Sequence, residues 1–91
     1  MSQILKLGIY KVMVQLILYS TSHCHLCEEA EVLLISLTKQ YDINWVPIEI
    51  TNDDNLVEKY GTKIPVIKRV DNHSEISWPF SAKEIANLIA T

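Results

Sequence analysis

The chain is poor in cysteine, glycine and proline, with two, two and three of them in 91 residues. Two cysteines are too few for the multi-bridge framework that staples small secreted proteins. An excess of basic charge is also missing. Eight Lys and Arg stand against eleven Asp and Glu, so no basic stripe is available to neutralise phosphates, and a nucleic-acid partner is not expected. A long apolar run is missing as well. Lys6, Lys11 and Gln15 interrupt the apolar N-terminal stretch, and its longest uncharged piece of this kind, residues 12–19, is far shorter than a bilayer span. An export signal would need cleavage near residues 20–22, removing the strand that leads to the cysteines. The expectation is therefore a cytoplasmic protein with no membrane partner. Residues 1–12 read as an N-terminal extension, with Met13 as an alternative start.

What is present is a chain with 48% hydrophobic residues and a net charge of −3, enough apolar surface to fold as one small domain. No repeat or linker divides it. Residues 14–19 are short and almost wholly apolar, which suits a central strand covered on both faces. The polar residues Ser20, Thr21 and Ser22 follow as candidate helix caps. Leu26, Ala30, Leu33, Leu34, Leu37 and Tyr41 then recur at helical spacing and form one stripe, with Glu28, Glu29 and Glu31 early and Lys39 late, as a helix dipole prefers.

Residues 43–50 are rich in β-branched and aromatic side chains, but Pro47 has no N–H to give a ladder, which places this second strand at a sheet edge. A short helix over residues 53–60 is closed by Gly61. Residues 64–70 form a third strand, and residues 71–74 turn the chain into a fourth over residues 75–78. Ser81 caps a last helix whose apolar face is Ile85, Leu88 and Ile89. This order of elements gives an α/β fold with helices on both faces of a small sheet.

The two cysteines lie three residues apart in Cys24-His25-Leu26-Cys27, where a buried strand gives way to a helix. A bridge closing so short a loop restrains little chain entropy, so its value as a staple is low and the spacing points to reactivity or metal. Residues three apart on a helix have Cα atoms roughly 5 Å apart, within disulfide reach. On the helical wheel Cys24 lies farther from the apolar stripe than Cys27, which makes it the more exposed thiol and the expected attacker. A helix N-terminus favours its thiolate, with His23 and His25 adding positive charge when protonated and Glu28 opposing them.

The strand over residues 16–19, the CHLC motif, Tyr60-Gly61 and Ile64-Pro65-Val66 resemble the glutaredoxin and thioredoxin superfamily. Within it, the small glutaredoxin-like proteins that pair a CxLCE-type motif with a late Trp-Pro-Phe segment are the most similar. The resemblance implies a thioredoxin-like, glutaredoxin-type fold with a four-stranded mixed sheet flanked by three helices. It further implies that Cys24 attacks, Cys27 resolves the mixed disulfide, and a cis Pro65, with Ile64, faces them and holds substrate. Glutaredoxins usually carry CPYC and a Gly-Gly pair. This chain has His25-Leu26 between its cysteines and Trp78-Pro79-Phe80 where the glycines would stand. The backbone of Ser81 and Ala82, at a helix start, is the remaining candidate for holding a carboxylate.

The expected activity is thus reversible dithiol–disulfide exchange in cell redox homeostasis by a monomer. Its partner is a disulfide-containing protein or glutathione, with glutathione as the candidate reductant and no bound cofactor. Two other classes compete. His23, Cys24, His25 and Cys27 are four potential ligands for zinc or a bridged iron–sulfur cluster, but a helix start cannot easily wrap them around one ion, and no metal is expected. A non-catalytic interaction module would instead use the aromatic Trp78-Pro79-Phe80 segment as a docking patch.

Overall fold

The computed structural model describes residues 13–91, so the extension expected over residues 1–12 lies outside the described residues. Strand β1 (Val14–Ser20) occupies the second place in a four-stranded sheet of order β2-β1-β3-β4. It pairs in parallel with β2 (Ile43–Glu49) and antiparallel with β3 (Val66–Arg69), which hairpins to β4 (Glu75–Ser77). Helix α1 (His25–Leu37) makes the crossover from β1 to β2. A 3-10 turn (Ile50–Asn52) and helix α2 (Asp54–Tyr60) lead to β3, and α3 (Ala82–Ala90) ends the chain.

Side chains alternate across β1, and each face has its own core. Leu16 and Leu18 join Ile67 of β3, Ala30 and Leu34 of α1, and Ile85 and Leu88 of α3 in one cluster. Tyr19 joins Val66, Ile50 and Tyr60 in a second, against which Ile17 and Leu56 of α2 pack. Helices therefore cover both faces, α1 and α3 on one and α2 on the other. Within the second cluster the rings of Tyr19 and Tyr60 stack at 4.4 Å, and the Tyr60 hydroxyl donates to Glu75 at 2.8 Å. Burial first, then the neighbouring Glu75 carboxylate, pushes the Tyr60 phenol well above its usual range.

Pro47 lies in an edge strand, as its missing N–H demands, opposite Leu18. Helix α1 departs from the sequence reading in its buried face and its length. First, the buried stripe of α1 is Cys27, Ala30, Leu34 and Leu37, whereas Leu26 is 39% exposed. The stripe drawn through Leu26 was turned slightly too far, because it shares Ala30, Leu34 and Leu37 with the true one and a small thiol carries little weight as an apolar marker. Second, α1 ends before Lys39, so its last turn has no basic residue, and Tyr41 packs on the core from beyond the helix. Gly61 closes α2 as expected, in the right-handed region at φ −53°. A Cβ there would lie 2.5 Å from the Val57 carbonyl oxygen, so close approach is what glycine permits at this site.

The end of α3 is held from across the sheet. Arg69, only 7% exposed, points from β3 to the same face as Leu16 and Ile67, and its Nη1 donates to the carbonyls of Leu88, Ile89 and Thr91 at 3.2, 2.7 and 3.2 Å. Its Nε and Nη2 form a fork on the Asp71 carboxylate at 2.9 and 2.6 Å. The last turn of α3 contains no basic residue, so this guanidinium supplies the positive charge that the helix C-terminus favours. At the other end, Ser81 and Glu84 form a reciprocal capping box.

Replacing Arg69 by Ala removes the donor and leaves carbonyls of α3 unpartnered. We expect it to lower unfolding free energy by about 2–4 kcal/mol in urea titrations and to speed amide exchange in α3 above all. Asp71→Asn, at an exposed carboxylate, costs far less.

Candidate active site at the end of strand β1

Beyond Ser20 the chain leaves the sheet through Thr21 and Ser22, and His23 adopts a left-handed conformation at φ 57°. That reversal sets Cys24 in extended geometry (φ −97°, ψ 105°) as the N-cap of α1. The cap is thus the cysteine itself and not one of the preceding hydroxyl residues. Its Sγ accepts the Cys27 N–H at 3.1 Å, satisfying one of the amides that a helix start leaves unpaired. Cys24 and Cys27 form a disulfide with Cα atoms 5.1 Å apart. Cys24 is half-exposed, while Cys27 is 6% exposed and sits on the buried face of α1.

The pair opens onto a cleft of about 150 Å³ between α1 and the ends of β1 and β2. Its lining includes His23, both cysteines, Glu28, Glu31 and Pro47, with no Lys or Arg among the described residues. His25 points away from the cysteines: its Nε2 meets Glu29 one turn along at 2.9 Å, and its side chain is 82% exposed. The four candidate metal ligands therefore do not converge. Among the described residues, no three His, Cys, Asp or Glu side chains are grouped to hold an ion.

The remaining candidate residues lie around the same end of the sheet. Tyr19 pairs with Val66, so Ile64 and Pro65 precede β3 at the end where β1 releases the cysteine loop. The Ile64–Pro65 peptide is cis, as is Trp78–Pro79, and the Trp78 N–H donates to the Pro65 carbonyl at 3.0 Å. Phe80 is buried and Trp78 half-buried, packed edge-on at 5.0 Å and joined to the main core. At the start of α3 the Ser81 N–H already donates to the Glu84 carboxylate at 2.9 Å, and the Ser81 hydroxyl accepts the Glu84 N–H at 3.2 Å. Glu84 thus places its own carboxylate on the Ser81 amide, beside Ala82.

Two anchors of the site come from residues that sequence reasoning passed over. Glu49, the last residue of β2, accepts from the Ser22 hydroxyl at 3.1 Å and from the Thr51 hydroxyl and N–H at 2.7 and 3.3 Å. Hydrogen bonds from Thr21 first, then Thr51, bring its pKa down to about 2. This carboxylate ties the loop before Cys24 to the edge strand. Glu31, one turn beyond Cys27, accepts the indole N–H of Trp45 in β2 at 3.2 Å. Neither contact leaves a local signature, since the partners are 27 and 14 residues apart.

A dithiol motif at the N-cap of the first helix, on a β-α-β unit followed by a β-hairpin and a helix, defines the thioredoxin-like class. Residues 15–90 match the family model of the glutaredoxin-like domain (DUF836). The chain belongs to that family. It is similar to the X. campestris protein XcR50 in its crystal structure (31% identity, TM-score 0.72, covering 84% of this chain and 97% of that one). It is also similar to the Nitrosomonas europaea protein Ne2328 (26% identity, TM-score 0.74, covering 82% and 89%). Thioredoxin 1 of Thermosipho africanus shares the fold at 18% identity (TM-score 0.63, covering 84% and 90%). No curated protein matches the chain. Among the described residues, no helix is long and apolar enough to cross a membrane.

The Glu49 anchor has a pH signature. A carboxylate whose pKa the fold lowers stabilises the protein above the ordinary carboxylate range and loses that contribution as pH falls towards about 2. Glu49→Gln should therefore be less stable than wild type at pH 7, with the gap in melting temperature closing as pH is lowered from about 5 to about 2. A gap that stays constant over that range would show that the ionised carboxylate contributes nothing.

Proposed function

We propose that the protein is a thiol–disulfide oxidoreductase that exchanges electrons between its Cys24–Cys27 pair and a disulfide-containing protein or glutathione. The observation that carries this reading is the difference between two sulfurs at one helix start: a half-exposed Cys24 at the N-cap and a buried Cys27 behind it. In the reduced protein the helix N-terminus and the Cys27 N–H favour negative charge on Cys24 Sγ, so this thiol ionises first. Its thiolate attacks one sulfur of the partner disulfide, and the other partner sulfur leaves as a thiolate. Cys27 then attacks Cys24 Sγ, releasing the second partner thiol and forming the intramolecular disulfide. The partner has gained two electrons and the pair has lost them.

Backbone at Ile64 and Pro65, at the same end of the sheet, is the proposed rest for an extended partner segment, in the manner of an added strand. His23 lines the cleft and adds positive charge when protonated. His25 does so only from outside it, shared with Glu29. For recycling, glutathione is the proposed reductant, although Glu84 already engages the Ser81 amide, which narrows the offer of α3 to an incoming carboxylate. A pair that must cycle between thiol and disulfide suits the reducing cytoplasm, with the protein acting as a monomer.

Removing each cysteine tests the order of events. Cys24→Ser should abolish exchange with a disulfide peptide, and Cys27→Ser should accumulate a mixed disulfide at Cys24, visible by mass spectrometry. Iodoacetamide labelling of the reduced protein should show Cys24 reacting first, with an apparent pKa below about 8.5. Faster labelling of Cys27, or a pair that stays reduced across a glutathione titration, would overturn the reading.

A further inference from the structure

Resolution asks for something the helix start does not provide. Cys27 must become a thiolate to attack Cys24 Sγ, yet it is 6% exposed, and the amide that caps the helix start is its own N–H pointing at the other sulfur. A thiol shielded from water is disfavoured as an anion, so its proton needs an acceptor within the site. The cleft supplies few. Its titratable lining is His23, Cys24, Cys27, Glu28 and Glu31, while β1 brings Leu18 and Ser20, the loop after it Thr21, and β2 Pro47.

Glu31 is the one whose position is fixed. It lies four residues after Cys27 on α1, where Cβ atoms are about 5–6 Å apart on one face of the helix. The Trp45 indole N–H holds Oε2 at 3.2 Å, which fixes the carboxylate between α1 and the edge strand. Glu28 also lines the cleft but is exposed, whereas Glu31 is half-buried. The other nearby carboxylates are engaged elsewhere, Glu29 by His25 and Glu49 by Ser22 and Thr51.

The geometry points to Glu31 as the general base that takes the Cys27 proton during resolution, with Trp45 as the residue that positions it. This assignment rests on the exchange reaction proposed above. In the step, the Cys27 S–H proton moves to the Glu31 carboxylate and the Cys27 sulfur bonds to Cys24 Sγ. The bond between Cys24 and the partner breaks, and the partner leaves as a thiolate that collects the proton from Glu31 or from water. The forming disulfide is the oxidised product and the partner thiol the reduced one.

The two steps can be timed separately. Fully reduced protein mixed with one equivalent of 5,5′-dithiobis(2-nitrobenzoate) releases a first thionitrobenzoate as Cys24 attacks and a second as Cys27 resolves. Glu31→Gln keeps an oxygen for the Trp45 indole and removes the proton acceptor. We expect its second phase to slow by about tenfold or more at pH 6–7 and to recover only as pH rises beyond about 8.5, the value of a free thiol, because the shielded Cys27 ionises later than that. The first phase should not slow, since removing a negative charge from the cleft can only favour the Cys24 thiolate. Trp45→Phe, which leaves the carboxylate unheld, should slow the second phase by a smaller factor with the same pH dependence. A second phase in Glu31→Gln equal to wild type at every pH overturns the assignment while leaving the exchange reading intact. A wild-type protein that yields no first phase overturns the exchange reading itself, and this assignment with it.

Discussion

Strand β1 is bonded on both sides, in parallel to β2 and antiparallel to β3, and covered on both faces. That constraint determines most of the molecule. A strand so enclosed must be apolar at alternating positions on both faces, and its C-terminal end cannot drift, because two ladders and two cores hold it. Whatever follows Ser20 is therefore delivered to one point in space. The left-handed turn at His23 converts that fixed end into the start of α1, and Cys24 inherits a position defined by the centre of the sheet and not by a loop. Reactive groups carried on such a rigid boundary keep their geometry at little entropic cost.

The difference between the two cysteines follows from the same boundary. One residue stands outside the helix as its cap and the other lies three positions on, inside the first turn and against the core. Helix periodicity alone then makes one sulfur accessible and shields the other. The surrounding charge is largely negative: Glu28 and Glu31 line the cleft and Glu49 braces the loop. In the proposed exchange, the Cys24 thiolate would depend on backbone amides for its stabilisation more than on side-chain cations.

The fold was legible in the sequence wherever its cause is local. The apolar run of β1, the edge position of Pro47, the hairpin between β3 and β4 and the Ser81 cap all follow from single residues or short periodic patterns. The dithiol motif and the greater exposure of Cys24 follow the same way. What could not be read has a common origin in long-range pairing. Arg69 looks like a charged residue ending a strand, and nothing near it indicates that its guanidinium gathers carbonyls some 19 to 22 residues later. Glu49 and Trp45 are likewise ordinary members of a strand until the sheet brings them beside the loop and helix. The misplacement of Leu26 has another source. A hydropathy stripe weighs a leucine above a cysteine, whereas the packed helix turns the smaller side chain inward next to Ala30.

The edge strand that places Pro47 beside the cleft has a second effect, on how the protein behaves in a crowded solution. An open sheet offers two rows of unsatisfied backbone groups to its neighbours, and flat, regular rows invite further strands to join. Here one border carries a proline with no N–H to donate, and the other, β4, is only three residues long. Both borders make poor templates for strand addition. The hydrophobic strands between them are thus shielded from edge-to-edge pairing.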